Sequence, residues 1–327
     1  MTAVLPIVCG LVLVWSSIGW CVNRTARAWV RIVGALAMVL VAVGMPVLLW
    51  TEPAWTRGLA TLPMFLYLAK TAELVTRRAS PGVSLDTWQG FAAWATMLPE
   101  GKWPRSADER SRCRRQAGTA AMRLAVKVLV FGALLALNEW LPVDRVRPVQ
   151  LAWMSVTLYV FMSGVCDAFA TIGFSMGLDV APMFNSPLIA RNPRDFWGRR
   201  WNLWFTRTAH RLIFQTTGGP AHPVRAGMMV FLASGMLHEV IATVGNLRVD
   251  GRMTMFFMVH GASTMAFTKL AQRWPAPLPR SLAVALHFSW FMVTAPLFLD
   301  PMDGFIHLSE WDLSGATGFI REWVRVG

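Results

Sequence analysis

Three of the chain's six histidines stand inside long apolar runs, where an imidazole is costly to place and marks either a satisfied interior group or a working one. Ser234-Gly235-Met236-Leu237-His238-Glu239 sets a histidine beside an acid in a run that starts at Pro223. At ~1.5 Å per residue, a helical run places His238 about 22 Å along its length. An imidazole with an unperturbed pKa near 6.5 can take a proton from a hydroxyl at neutral pH, so His238 is the candidate general base. Glu239 faces a partner or tunes that site. His260, in Val259-His260-Gly261, has two readings, an interior group held by hydrogen bonds or a group that meets a ligand. His287, on a run without charges, reads as structural, and His210 and His222 fall between runs and read as solvated.

Other chemical signatures fail on context. Gly173-Phe174-Ser175-Met176-Gly177 matches the GxSxG pattern. That nucleophile elbow needs a strand, turn and helix in an α/β sheet, whereas these residues end an apolar run and suit close helix packing. No histidine begins an HxxxD motif, and there is no P-loop, dinucleotide fingerprint or HExxH. Cys9, Cys21, Cys113 and Cys166 are scattered without CxxC or Cys/His ligand spacing, which argues against a disulfide framework and against a metal site.

The elements that must position His238 are membrane helices. Of 327 residues 55% are hydrophobic and 15% charged, against about 25% charged in soluble domains. A span needs about 20 mostly apolar residues. Eight segments qualify: 2–22, 32–50, 58–75, 119–141, 149–170, 223–245, 253–271 and 281–299. The charge of +13 comes from basic residues gathered in the connections, the pattern that orients a membrane protein rather than a nucleic-acid footprint. The two most basic connections, 76–118 and 178–222, fall on one side. That places them in the cytosol, with both termini and the basic carboxyl-terminal tail opposite. Residues 1–23 lack the basic start of a signal peptide and read as a retained first span. The expected fold is therefore all-α and polytopic, one domain over 1–327 with about eight transmembrane helices plus cytosolic-side amphipathic helices.

Connection 76–118 carries Trp88, Trp94 and Trp103 with a run of arginines, suited to the membrane boundary and its lipid headgroups. Connection 178–222 contains a marked helix start: Asn192 can cap, Pro193 fits the first turn, and Asp195 follows at the third position. The spacing predicts one amphipathic helix from there to Gly218-Gly219-Pro220. Trp201, Trp204, Phe205, Thr208 and Leu212 share a face. Arg200, Arg207 and Arg211 form a stripe on one side of it, and Asn202 lies on the other.

Met183-Phe184-Asn185-Ser186-Pro187, Phe196-Trp197-Gly198-Arg199-Arg200-Trp201-Asn202, Ser234-Gly235-x-x-His238-Glu239 and Phe257-x-x-His260-Gly261 occur in this order. Together they resemble the signature of the wax synthase family, part of the membrane-bound O-acyltransferase superfamily, over a motif core of 182–261. The resemblance implies transfer of a fatty acyl group from acyl-CoA to an alcohol, with His238 as the intramembrane histidine and Asn202 as the asparagine closing the aromatic/basic motif. The candidate substrate-binding residues are Arg199, Arg200, Trp201, Arg207, Arg211, Glu239 and His260.

The residue types suit that reaction. A base takes the hydroxyl proton as oxygen attacks the thioester, CoA leaves readily, and no nucleophilic serine or cysteine is required. Asn202 can donate to the developing oxyanion. Cytosolic Arg191, Arg194, Arg199, Arg200, Arg207 and Arg211 can receive CoA phosphates. The expected partners are acyl-CoA as co-substrate, an alcohol and membrane lipids, with no cofactor, metal or nucleic acid. Two alternatives stand beside this reading. One keeps the fold with acetyl-CoA or a sterol, glycerolipid or secondary-metabolite acceptor. The other is a non-catalytic lipid or solute transporter using His238 and Glu239 as a relay. The orientation suits a bacterial inner membrane or the endoplasmic reticulum.

Overall fold

The computed structural model describes residues 4–79, 82–97, 100–141, 143, 146–273 and 278–312. The first residues of the expected span 2–22 and the basic carboxyl-terminal tail lie outside them. Each of the eight expected segments falls on helix. These are α1 (Val4–Arg24), α2 (Ala28–Leu48), α3 (Ala54–Thr76), α5 (Ala107–Trp140), α6 (Arg147–Ser175), α9 (Pro223–Asn246), α10 (Arg252–Arg273) and the pair α11 (Arg280–Thr294) and α12 (Pro296–Ile306). Shorter helices α4 (Trp88–Thr96), α7 (Pro193–Arg199) and α8 (Leu203–Ala209) occupy the two long basic connections. Leu5, Leu40 and Leu129 on α1, α2 and α5 are each more than 70% exposed, an apolar perimeter that lipid covers. The protein is an all-α, multi-pass membrane protein.

The expected count of eight spans is corrected. Among the described residues, five helices (α1, α2, α5, α6 and α9) are long and apolar enough to cross a membrane, and α11 with α12 makes a sixth if the bent pair is one span. The 56° bend has a local cause: Pro296 offers no N–H to the preceding turn, and the Thr294 hydroxyl bonds back to the carbonyls of Trp290 and Phe291. Helices α3 and α10 have the length of a span but not the apolarity. Their polar residues belong to the interior: Lys70, Thr71 and Glu73 of α3 and His260 and Thr264 of α10 are all buried.

Charges within the apolar helices find partners. Asp167 on α6 accepts from Lys127 at 2.5 Å and from Arg123 at 3.2 Å on α5, and this joins the two longest helices. A lone charge at that depth would cost several kcal/mol. Lys70 donates to the carbonyls of Trp94, Ala95 and Met97 and so closes the end of α4. The two basic connections are also clipped together. Gly101–Lys102 (β1) pairs antiparallel with Asp179–Val180 (β2), a two-residue ladder in which Gly101 faces Val180.

Candidate functional site

Connection 178–222 builds one wall of the site. Asn192 accepts from the Asp195 amide at 2.8 Å, and the Asp195 carboxylate turns back to the Arg191 amide at 3.2 Å, a reciprocal cap that starts α7 where the sequence placed a helix start. The single amphipathic helix expected beyond it is not formed. The chain breaks at Arg200–Asn202, restarts as α8, and passes into a π-helical turn at His210–Phe214. Tertiary bonds cause the break. Asn185 N–H donates to the Arg200 carbonyl at 2.9 Å and Leu203 N–H to Met183 at 2.8 Å, so the 182–186 segment takes groups that a continuous helix would use. Asn202 sits at φ 42°, a left-handed conformation that asparagine tolerates better than most residues, and its Oδ1 caps α8 by accepting from Phe205 N–H at 3.2 Å. With Oδ1 so engaged, the Nδ2 donors are the part of Asn202 available to a ligand.

The break also redistributes the arginine stripe. Arg200 bonds Asp195 at 2.8 Å and the carbonyls of Asn185 and Ser186 at 3.2 Å, which locks the turn before α7 to its end. Arg211 pairs with buried Glu73 of α3 and donates from Nε to the Arg78 carbonyl, while the Arg78 guanidinium donates to the Arg211 carbonyl. Thr208 and Trp94 donate to the same carboxylate. Arg207 is half-buried, with a buried Nη2 that has no partner among the described residues. Arg199 is exposed in the last turn of α7.

A cavity of about 200 Å³ lies between this wall and helices α9 and α10. The connection contributes Arg194, Trp197, Gly198, Trp201, Asn202, Phe205, Thr206, His210 and Phe214. One face of α9 contributes Gly227, Val230, Phe231, Ser234 and His238, and α10 adds Phe257 and Thr264. The α9 stripe follows the three- and four-residue spacing of a helix face and extends ~16 Å from Gly227 to His238. His238, well along its apolar run, and Asn202, on the basic connection, line the same cavity. Most of its lining is apolar, and the polar groups on it are few.

His238 is half-buried, with its ring 4.5 Å from Phe257 and 5.5 Å from Phe298. Its Nδ1 lies 2.8 Å from the Ser234 carbonyl one turn earlier. A carbonyl only accepts, so the proton of the neutral ring is on Nδ1 and the lone pair on Nε2. Such a ring can receive a proton at Nε2 while the Ser234 carbonyl steadies the cation that forms.

Glu239 points elsewhere. Its carboxylate accepts from the amides of Asp250 (3.0 Å), Gly251 (2.5 Å) and Thr254 (3.2 Å), closing the turn between α9 and α10 and capping α10. Gly251 at φ 81° permits that turn. His260 is fully buried and does not line the cavity. Its Nδ1 accepts from Trp197 Nε1–H at 3.2 Å, and its Nε2 meets Thr294 Oγ1 at 2.9 Å. Trp201 lines the cavity and stacks on Phe196 at 5.4 Å, with Phe184 and Tyr159 behind it.

Sequence reasoning gave no role to Trp197, Ser234 or Thr294. The spacing of Ser234 and His238 was a legible signal, since i and i+4 share a helix face. Thr294 had no signal at all.

Residues 180–259 match the Membrane bound O-acyl transferase family. The chain is 31% identical over 160 residues to Acyl-CoA–sterol O-acyltransferase 1 of Arabidopsis thaliana, covering 45% of this chain and 46% of that protein. It is 27% identical over 196 residues to Probable long-chain-alcohol O-fatty-acyltransferase 9 of the same plant, with 54% and 56% covered. With the Long-chain-alcohol O-fatty-acyltransferase of Simmondsia chinensis it shares 34% over 135 residues, 37% of each. The chain spans about half the length of the first two of these curated relatives. The wax synthase resemblance seen in the motifs is thus matched by family and relatives alike.

Proposed function

We propose that the chain is an acyl-CoA:alcohol O-acyltransferase that forms esters within the membrane. The observation that carries this reading is His238, with its proton held on Nδ1 by the Ser234 carbonyl, on an apolar cavity that Asn202 shares. His238 Nε2 takes the alcohol proton as the alcohol oxygen bonds to the thioester carbon. Asn202 Nδ2 donates to the oxygen that becomes an oxyanion. The carbon–sulfur bond then breaks, and the departing thiolate recovers the proton from His238, giving an ester and free CoA. A positioned base contributes about 10²–10⁴-fold, and an amide donor to an oxyanion about 10²–10³-fold.

Each buried methylene favours the cavity by about 0.8 kcal/mol, so a long acyl chain or alcohol concentrates there while water is kept from the thioester. Of the six arginines first assigned to CoA, Arg191, Arg194 and Arg199 are exposed and open to phosphates, and Arg194 lines the cavity. Arg200 and Arg211 are already paired within the protein. The reaction as written needs no further cofactor. The membrane is a bacterial inner membrane or the endoplasmic reticulum, with connections 76–118 and 178–222 in the cytosol.

The relatives' names support two acceptors, a long-chain alcohol and a sterol. The test is to incubate membranes containing the protein with labelled acyl-CoAs from acetyl to long-chain, each with a fatty alcohol or a sterol, and to identify lipid products. We expect an ester from a long-chain acyl-CoA and a fatty alcohol, lost in His238→Ala at equal protein level. Uptake of a solute with no ester, or full turnover by His238→Ala, overturns the assignment.

A further inference from the structure

We propose that His260 is a positioning residue that acts through Trp197, setting the wall of the cavity on which the lipid substrate rests. The inference rests on the acyltransferase reading for its kinetic part alone. Trp197 lines the cavity from α7, and its indole meets Phe231, Phe257 and His260 at 5.5–5.8 Å between ring centroids. An indole N–H is only a donor, and buried in an aromatic cluster it needs an acceptor. His260 Nδ1 is that acceptor at 3.2 Å.

The direction of the chain is fixed from the indole end. Trp197 Nε1–H can only donate, so the neutral His260 ring has its lone pair on Nδ1 and its proton on Nε2. Thr294 Oγ1, 2.9 Å away, accepts from Nε2–H, and its own hydroxyl proton goes to the carbonyl of Trp290 or Phe291. The relay passes from the bend of α11 through α10 to α7 and joins three elements that share no sequence neighbourhood. Removing His260 takes the acceptor from the N–H of a half-buried indole, and the indole can recover a protein partner only by turning. Because His260 is fully buried and off the cavity, its effect on substrate passes through that ring.

The test uses full-length protein in detergent labelled with 5-fluorotryptophan, with the Trp197 resonance identified by its loss in Trp197→Phe. His260→Leu and Thr294→Val should both move that resonance, and His260→Gln, which keeps an acceptor, should move it less. His287→Leu is the control, because His287 packs on Phe196 at 5.6 Å and tests packing without the relay. It should leave the resonance in place. In ester formation from palmitoyl-CoA and hexadecanol, His260→Leu should raise KM for the alcohol about tenfold with kcat changed less than about threefold. In a Trp197→Phe background the same change should add less than about twofold. An unmoved resonance in both His260→Leu and Thr294→Val, or one moved equally by His287→Leu, overturns the proposal, as do additive kinetic effects. If wild type makes no ester, the acyltransferase reading fails while the fluorine result still decides the relay. If His260→Leu does not accumulate, Thr294→Val and His260→Gln carry both arms.

Discussion

Asn202 holds two tasks that can be separated by substitution. Its left-handed backbone and Oδ1 cap shape the junction of α7 and α8, and the proposed reaction uses its Nδ2 as the oxyanion donor. Asn202→Asp keeps the cap oxygen and tolerates the backbone but loses both donors, so stability should stay near wild type while kcat falls about 10²-fold. Asn202→Ala loses the cap and strains the backbone, and should cost about 2 kcal/mol in thermal unfolding besides the activity. A stable and fully active Asn202→Asp would remove Nδ2 from the mechanism. At this scale the sequence was most legible for side chains whose type is costly where it stands. His238 in an apolar run is such a residue. Glu239, read as facing a partner or tuning the site, serves three backbone amides of the next turn, since neighbours on a helix point about 100° apart.

At the scale of elements, helices were legible and their interruption was not. Apolar runs and the Asn192-Pro193-x-Asp195 start declare where helices lie. Nothing in the local pattern of 193–216 declares the break at Arg200–Asn202, because its cause is the bonding of distant Met183 and Asn185 to this stretch. The same holds for α3, whose Lys70 and Glu73 lowered its apolarity as a span without revealing what they hold. Glu73 receives Arg211, Thr208 and Trp94, and so fastens α8 and the π-helical turn to α3 and α4. Glu73→Gln should leave Arg211 partly unmatched in a buried setting and destabilise by about 3 kcal/mol. Because the turn carries His210 and Phe214 of the cavity wall, KM for the lipid substrate should rise as well. Thermal unfolding alongside steady-state kinetics checks both. A loss of stability with unchanged KM would show that the cavity wall does not depend on this anchor.

Across the whole molecule, charge is arranged as closed networks at one end and open arginines at the other. Beyond Glu239, Arg248 and Arg252 flank Asp250, Arg252 reaches Asp300 at 3.4 Å, and Arg147 at the start of α6 bonds the same aspartate. The turn between α9 and α10 is thereby tied to α6 and α12, and the end of α9 beyond His238 cannot move independently of them. Arg252 and Arg248 hold the Asp250 carboxyl well below its ordinary range, at about 2. A carboxylate depressed in the folded state contributes stability above its unfolded pKa of about 3.9, and that contribution is lost as pH falls through the folded value. Asp250→Asn should therefore lower the melting temperature in detergent by about 2 °C above pH 4, a small figure because Arg248 is 73% exposed and surface pairs are screened. Between pH 4 and pH 2 the gap should narrow, and near pH 2 the two proteins should unfold together. High salt should shrink the gap at neutral pH in the same way. A gap that persists unchanged to pH 2 would mean that Asp250 stabilises the turn through packing rather than charge. The turn would still be the fixed end against which α9 presents His238, held there by packing rather than by its ion pairs.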